Sequence, residues 1–360
     1  MAAVLMEELV EEILLRFPPE DPASLVRTAL VCKGWRRLIT DKAFHGRFRE
    51  FHRTPPMLGF LCHRLRNHGA NEAFAAHFIP TSSFPPRGHH GGWQAIDSRH
   101  GRVLLYGVHG ASMHRMLVWD PVTDEQMKLP QLPSYLCPGS YIGSWNAAVL
   151  CATDSGCDHL DCHRGPFLVV FMRSMAQGTF ALLYSSEVGA WSELTSAKDI
   201  HCGGLALRRS ALVRNALYFP SLIGFRILKY NLTTGQISKI RMPTYINSWH
   251  GVLMTTENGM LGLAGVQDTR LYLLSRKPNC KDSGWIQNRV IELKTLLPID
   301  TLSVSSHVAG FADGAGIIFL RMKDRLFIID LKSGKVKDVE DYGSIYDIVP
   351  YVSFYTPVFR

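Results

Sequence analysis

Residues 228–236 read Leu-Lys-Tyr-Asn-Leu-Thr-Thr-Gly-Gln, an apolar run that ends in a polar turn. The same succession recurs at 117–125, 183–191 and 327–335, with a looser copy at 271–275 that has a tryptophan downstream. The anchor residues of the five copies are Trp119, Tyr184, Tyr230, Tyr272 and Ile329, which are 65, 46, 42 and 57 residues apart. The glycines of the Thr-Gly and Ser-Gly turns supply the positive φ that a tight hairpin needs. The stretch therefore predicts a β-hairpin that is repeated along the chain.

The spacing of this hairpin predicts a β-propeller. Repeats of about 40–50 residues with several strands each are typical of propeller blades. One blade cannot bury its two faces alone, whereas a ring of blades buries both faces of each. About 305 residues at roughly 45–50 per blade give six or seven blades. A pair of sandwiches and an open β-solenoid are the alternatives that this pattern leaves open.

The chain from 54 to 360 reads as β throughout. Short apolar runs alternate with Gly, Pro, Asn and Asp turns, as expected for strands. No periodic run of twelve or more residues indicates a second helical region, so the strands should form antiparallel sheets. The predicted strands include 102–107, 167–172, 180–185, 217–219, 226–231, 251–255, 271–275 and 326–330.

Residues 4–51 read as short helices instead. Leu5, Leu9, Ile13 and Phe17 recur every four residues, which is an amphipathic stripe at helical period. Two prolines end this helix at 18–19, and Asp-Pro at 21–22 indicates the start of the next. We therefore predict an α+β multidomain protein, with a small helical domain at 1–53 and an all-β domain at 54–360.

Composition sets limits on function. Hydrophobic residues make up 46% of the 360 residues and charged residues 19%, which is ordinary for a globular protein. No apolar run approaches the roughly 20 residues of a membrane-spanning helix. The acidic N-terminus lacks the basic start of a secretory signal, so an intracellular location, cytoplasmic or nuclear, is expected. The eight cysteines are expected to be free thiols there.

The helical segment resembles an F-box over about 45 residues. The specific block is Val31-Cys32-Lys33-Gly34-Trp35-Arg36-Arg37-Leu38-Ile39, preceded by matches at Leu5, Leu9, Ile13-Leu14 and Phe17-Pro18-Pro19-Glu20-Asp21. Met6 stands where the family has its first proline, which weakens that edge of the motif. The remainder resembles grass F-box proteins with a β-rich associated domain, through residues 48–60, 98–105, 117–123 and 353–357.

The resemblance implies a substrate receptor of Skp–cullin–F-box ubiquitin ligases. The helical motif would bind a Skp-type adaptor, and the β domain would hold an unknown protein substrate; catalysis, nucleic acid, membranes and cofactors have no part in this role. The residues expected at the adaptor are Leu5, Met6, Leu9, Ile13, Pro18, Leu30, Val31, Cys32 and Trp35. For Trp35, packing within the motif is an equal alternative. Two other functions stay open: a propeller-fold enzyme such as a glycan hydrolase or oxidase, and a scaffold whose helices are sealed against its own propeller.

Two further clusters invite a chemical interpretation. Cys151, Cys157, His159, Cys162 and His163 are zinc-type residues within thirteen positions, but two well-spaced ligand pairs are lacking, so the pattern favours an inter-strand loop over a metal site. Arg36, Arg37, Arg47, Arg49 and Arg53 form a basic group. We interpret it as a solvated face between the helices and the β domain, or one that meets acidic patches of the ligase, and not as a nucleic-acid site.

Overall fold

A short helical unit precedes the strands in the computed structural model. It describes residues 7–65, 76–83, 90–107, 114–137, 144–153, 157–200, 202–223, 225–244, 246, 251–278, 280, 284–297, 306–322, 325–339 and 344–355, without the side chains of 63–65 and 344–347. The helices in these ranges are α1 (Glu7–Leu15), α2 (Pro22–Ala29), α3 (Lys33–Thr40) and α4 (Lys42–His52). None of them is long and apolar enough to cross a membrane.

Local sequence explains where the helices begin and end. Pro22 occupies the first turn of α2, where its missing N–H has no partner to lose. Asp41 caps α4 by accepting a hydrogen bond from the Ala43 amide at 3.0 Å. Arg53 adopts a left-handed conformation with φ of 58° and ends α4. Strands begin four residues later at Met57.

The described strands form six antiparallel sheets, which are the six blades of a β-propeller. Their bounds are β1 (Met57–Leu65), β2 (Ala76–Pro80), β3 (Trp93–Arg99), β4 (Arg102–Gly107), β5 (Met116–Trp119), β6 (Gln126–Lys128), β7 (Trp145–Cys151), β8 (Phe167–Met175), β9 (Gly178–Ser185), β10 (Ala190–Trp191), β11 (Thr195–Ala197), β12 (Ala211–Val213), β13 (Ala216–Pro220), β14 (Arg226–Asn231), β15 (Ile237–Arg241), β16 (Gly251–Thr255), β17 (Leu261–Gln267), β18 (Arg270–Arg276), β19 (Trp285–Glu292), β20 (His307–Ala312), β21 (Ile317–Met322), β22 (Arg325–Asp330), β23 (Val336–Val339) and β24 (Ser344–Val352).

Five blades follow one another along the chain, and the sixth joins its two ends. Blades 1 to 5 are β3–β6, β7–β11, β12–β15, β16–β19 and β20–β23, and blade 6 has the order β2-β1-β24. In blade 6, Leu61 on β1 is paired with Val349 on β24. The ring is thus closed by hydrogen bonds between distant parts of the chain. The fold class predicted from the sequence is confirmed, with six blades from the range of six or seven.

The repeated sequence element is the outer hairpin of the blade, between its third and fourth strands. In three copies an Asp or Asn side chain organises the turn. The carboxylate of Asp120 accepts from the Val122 amide at 2.8 Å, the amide oxygen of Asn231 from Thr233 at 2.9 Å, and the carboxylate of Asp330 from Lys332 at 2.8 Å. Gly235 and Gly334 take φ values of 66° and 70° in these turns, as the pattern predicted.

Six apolar clusters lie between consecutive blades. Between blades 1 and 2, for example, Leu104 and Val118 pack with Val149 and Phe171. Each sheet therefore buries both faces, which explains why strands such as β4 and β7 are buried at every position.

A seventh cluster attaches the helices to the propeller. Leu14, Phe44 and Phe48 pack with Phe354, which follows β24, and with Leu160 from the β7–β8 connection. The rings of Phe48 and Phe354 meet edge to face with centroids 6.3 Å apart. Because first-to-second-strand connections such as β7–β8 all lie on one side of a propeller, the helices sit on that side, which we call the helical face.

Candidate functional site

The first helix carries two apolar stripes that have different environments. Val10 and Leu14 are buried in the helical core, at 5% and 1% exposure. Leu9 and Ile13, one position earlier in each case, are each 50% exposed. Residues four apart lie on the same face of a helix, so Leu9 and Ile13 form a second stripe on the outside. The intramolecular core thus uses one stripe and leaves the other on the surface.

The connection between α2 and α3 continues this exposed apolar surface. Leu30 is 69% exposed and Val31 is 65% exposed. We name Leu9, Ile13, Leu30 and Val31 the apolar strip. A scaffold sealed on its own propeller would bury Leu9 and Ile13, and their exposure contradicts that alternative.

The other residues expected at the adaptor differ in their surroundings. Pro18 and Cys32 are exposed. The Cys32 thiol accepts a hydrogen bond from the Trp35 amide at 3.4 Å and caps α3. Trp35 is half-buried against the helical core, which agrees with a role inside the motif as well as at its surface. Leu5 and Met6 lie outside the described residues.

Part of the basic group lies between the helices and the propeller. Arg49 is largely buried and forms an ion pair with Asp161 of the β7–β8 connection at 2.8 Å. Arg53 lines the cavity described below. Arg47 pairs with Glu11 within the helical unit. Arg36 and Arg37 are exposed on α3.

A cavity of about 1160 Å³ opens at the centre of the helical face. Its floor is a network of buried charges, in which Arg99 pairs with Asp97 and Arg209 with Asp313. The Asp97 carboxylate also accepts a hydrogen bond from the Val149 amide at 3.0 Å, and that of Asp313 from the Thr255 amide at 2.9 Å. Burial raises the pKa of Asp97, against the opposing effect of Arg99 and Arg209.

This network bears on the propeller-enzyme alternative. The channel is polar, and it does contain carboxylates. Both Asp97 and Asp313 are occupied by arginines and backbone amides from several blades, however. These contacts join residues of different blades, although Asp313 also lines the cavity.

Four cysteine and histidine residues from the end of β7 and the connection that follows it form a compact group. Ligand-type atoms of Cys151, Cys157, His159 and Cys162 all lie within 4.8 Å of one another. Cys151 is the last residue of β7, and the other three follow in the connection. Burial, together with the neighbouring Cys151 thiol, raises the pKa of Cys162 above its usual range. The sequence pattern lacks two separated ligand pairs, and for that reason it favoured a loop. The fold brings Cys151, at the end of β7, next to the three ligand-type residues of the connection, and sequence spacing does not predict this proximity.

His163 does not join this group. It forms hydrogen bonds to Asp120 at 2.6 Å and to Asp161 at 3.2 Å. Burial alone would lower the pKa of His163, but the two carboxylates outweigh it and raise the pKa to about 9. A protonated imidazole has no free lone pair, so His163 serves as an ion-pair partner.

The chain thus combines helices that carry an exposed apolar strip with a six-bladed propeller, to one face of which they are attached. The comparison with family models finds the F-box domain at residues 5–46. It also matches residues 94–359 to the family described as "F-box protein AT5G49610-like, beta-propeller", and the chain belongs to that family. F-box domains generally bind Skp-type adaptors of cullin–RING ligases. The comparison with curated proteins found no match.

Several solved structures are similar to this chain at low sequence identity. The chain is 10% identical to TolB from Acinetobacter baumannii, with 84% of this chain and 69% of that chain covered at a TM-score of 0.44. It is 12% identical to AztD from Citrobacter koseri, with 83% and 91% covered at a TM-score of 0.44. A functionally unknown protein from Desulfotomaculum acetoxidans is 13% identical, with 82% and 89% covered at a TM-score of 0.45.

Proposed function

We propose that this chain is the substrate-recognition subunit of a Skp–cullin–F-box ubiquitin ligase. Its helical unit binds the Skp-type adaptor through the apolar strip, and its propeller holds the protein to be ubiquitinated. The observation that carries the proposal is the division of α1, whose Val10 and Leu14 are buried while Leu9 and Ile13 are exposed. An amphipathic helix that keeps a second apolar stripe on its surface is suited to helix-against-helix docking.

The mechanism requires no chemistry from this chain. A receptor raises the effective concentration of its substrate near a charged ubiquitin carrier, and the gain depends on both being held at a fixed span. Members of F-box families are typically non-catalytic adaptors. The engaged carboxylates of the central network support this role better than an enzymatic one.

The topology favours the side of the propeller opposite the helical face as the substrate surface. The helices occupy part of the helical face through contacts with Leu160, Ser83 and Phe354. The opposite side carries the second-to-third-strand turns, such as 175–178 and 267–270, and the connections from one blade to the next where the structure describes them. Loops on a rigid scaffold are the usual carriers of recognition, and these loops lie away from the adaptor.

Binding of the purified chain to a Skp-type adaptor tests the proposal. Leu9→Asp and Ile13→Asp should each weaken binding by about 30-fold or more, because truncating an interface anchor costs about 2 kcal/mol or more. Val188→Asp is the matched control, since Val188 is 76% exposed at the β9–β10 turn, far from the helices in sequence. Isothermal titration calorimetry gives the affinities. Wild-type affinity in Leu9→Asp, or lack of adaptor binding by the wild type, would refute the assignment.

A further inference from the structure

Four side chains in the β7–β8 connection have the composition of a closed metal site. Cys151, Cys157, His159 and Cys162 place their ligand-type atoms within 4.8 Å of one another. Three sulfur atoms and one imidazole nitrogen make a Cys₃His set, which is a standard donor set of structural zinc. Soft thiol ligands disfavour Mg²⁺ and Ca²⁺, which prefer oxygen.

Two of the distances inside the cluster agree with tetrahedral coordination. The Sγ atoms of Cys151 and Cys157 are 3.9 Å apart, and the Sγ of Cys162 is 3.6 Å from the Nδ1 of His159. Zinc bonds of about 2.3 Å to sulfur and about 2.0–2.1 Å to nitrogen at tetrahedral angles give S···S separations of about 3.8 Å and S···N separations of about 3.6 Å. A disulfide would require an S–S distance of about 2.05 Å. The Cys151–Cys157 and Cys162–His159 separations therefore match those of two ligands bound to one zinc ion.

Neighbouring groups support the ligands as an outer layer. The Thr153 amide donates a hydrogen bond to the Cys151 sulfur at 3.4 Å, which favours a thiolate. The ring of His159 stacks on that of His100, with centroids 4.0 Å apart and planes 7° from parallel. His100 in turn accepts a hydrogen bond from the Cys151 amide at 3.0 Å, so it fixes both a ligand ring and a ligand backbone. Such outer groups orient the ligands of metal sites.

We propose that Cys151, Cys157, His159 and Cys162 bind one structural Zn²⁺ ion. Four protein ligands complete a tetrahedron and leave no position for a substrate or an activated water molecule, so the ion is structural. Each of the three thiols releases its proton on binding, and the 2+ charge of the ion offsets two of the three negative charges that result.

The position of the site gives the ion a definite task. Between the ligands His159 and Cys162 lie two residues that contact the helical unit: Leu160 packs in the helical core, and Asp161 pairs with Arg49. On the propeller side, Arg102 donates to the Cys162 carbonyl at 2.6 Å. The ion thus fixes the short segment through which the helices and the propeller are joined. This inference concerns the chain itself and does not depend on ligase function.

Metal content of the full-length chain is the first test. Protein purified without chelator should contain close to one zinc per chain by inductively coupled plasma mass spectrometry. X-ray absorption at the zinc edge should show three sulfur ligands at about 2.3 Å and one nitrogen at about 2.0–2.1 Å. A zinc content near zero, or a Cys151–Cys157 disulfide found by peptide mass spectrometry under non-reducing conditions, would overturn the proposal.

Variants separate the proposed ligands from other thiols. Cys157→Ser and Cys162→Ser should lose most of the zinc, whereas Cys280→Ser, at a free thiol outside the cluster, should keep it. His159→Cys keeps a four-ligand site and should retain zinc, whereas His159→Ala should bind it more weakly. Competition with a zinc chelator measures how much more weakly His159→Ala binds zinc than the wild type does. This comparison tests the ligand assignment even if a serine variant fails to fold. Equal zinc retention in Cys157→Ser and Cys280→Ser would contradict the ligand assignment.

Discussion

Replacement of Arg209 would test whether the charged centre of the propeller holds blades together. Arg209 is 10% exposed and donates three hydrogen bonds of 2.9 Å, to the Asp313 carboxylate and to the carbonyls of Phe311 and Ser98. It also lies 3.5 Å from the buried Asp97. One side chain therefore links blades 1 and 5 from the segment that precedes blade 3.

The variant Arg209→Met keeps much of the side-chain volume and removes the charge and all three donors. Removing one partner of a buried ion pair costs about 3–5 kcal/mol, because the remaining charge stays buried without compensation. Unfolding entropy of about 2.1 cal/mol/K per residue over the roughly 300 propeller residues converts this cost into a fall of about 5–8 °C in the melting temperature. A second change, Asp313→Leu, should restore part of the loss, since it removes the carboxylate that Arg209→Met leaves unpaired.

Differential scanning calorimetry measures the effect, with Arg270→Met as the matched control. Arg270 also forms an ion pair within a blade, with Glu292 at 3.0 Å, but its side chain is 59% exposed. Exposed pairs contribute little to stability, so this control should melt close to the wild type. If Arg209→Met melted with the control, the network would not hold the blades together, and its carboxylates would again be candidates for a chemical role.

Two further predictions concern the helical unit. Phe354→Ala removes a ring that packs on Phe48 and should cost about 3–5 kcal/mol, so calorimetry should show the helices melting before the propeller; one unshifted transition would contradict the contact. Burial lowers the pKa of His45, whose Nε2 lies 2.7 Å from the Ile39 carbonyl. Its contribution to stability is therefore complete above the unfolded pKa of about 6.5 and is lost as the pH falls below it. Circular dichroism melts at pH 7 and pH 5 should show this loss in the wild type and a smaller one in His45→Gln; equal losses would exclude His45 as the cause.

Local patterns were sufficient for most of the fold. The repeated hairpin depends on contacts between residues that are close in sequence. For example, the side-chain oxygen of Asn231 accepts hydrogen bonds from the Thr233 and Thr234 amides, so a short sequence pattern is enough to predict the turn. The helix that begins at Pro22 was predictable for the same reason. The number of blades was not fixed by the pattern, because blade 6 combines β24 with β1 and β2 from the other end of the chain.

The candidate sites required contacts that sequence spacing does not encode. The exposure of Leu9 could be predicted from the motif. That the neighbouring Val10 is buried instead follows from the way α1 packs on α4. Arg99 reaches Ser210 across 111 positions, and Cys151 contacts His100 across 51. Such pairings arise from ring closure and from the packing of neighbouring blades, and no periodicity predicts them.

The rigidity of the junction between the helices and the propeller is important for the proposed function. A receptor that acts by proximity must hold its substrate at a span that the ubiquitin carrier can reach, so a loosely jointed receptor would lose effective concentration even with both binding surfaces intact. Here the junction combines the apolar contact of Phe48 with Phe354, the ion pair of Arg49 with Asp161, and the insertion of Leu160 into the helical core. Two of these three contacts come from the segment enclosed by the proposed zinc ligands. Loss of the metal should therefore reduce ubiquitination of a bound substrate while adaptor binding by the apolar strip persists, because Leu9 and Ile13 are exposed and take no part in the helical core that Leu160 enters.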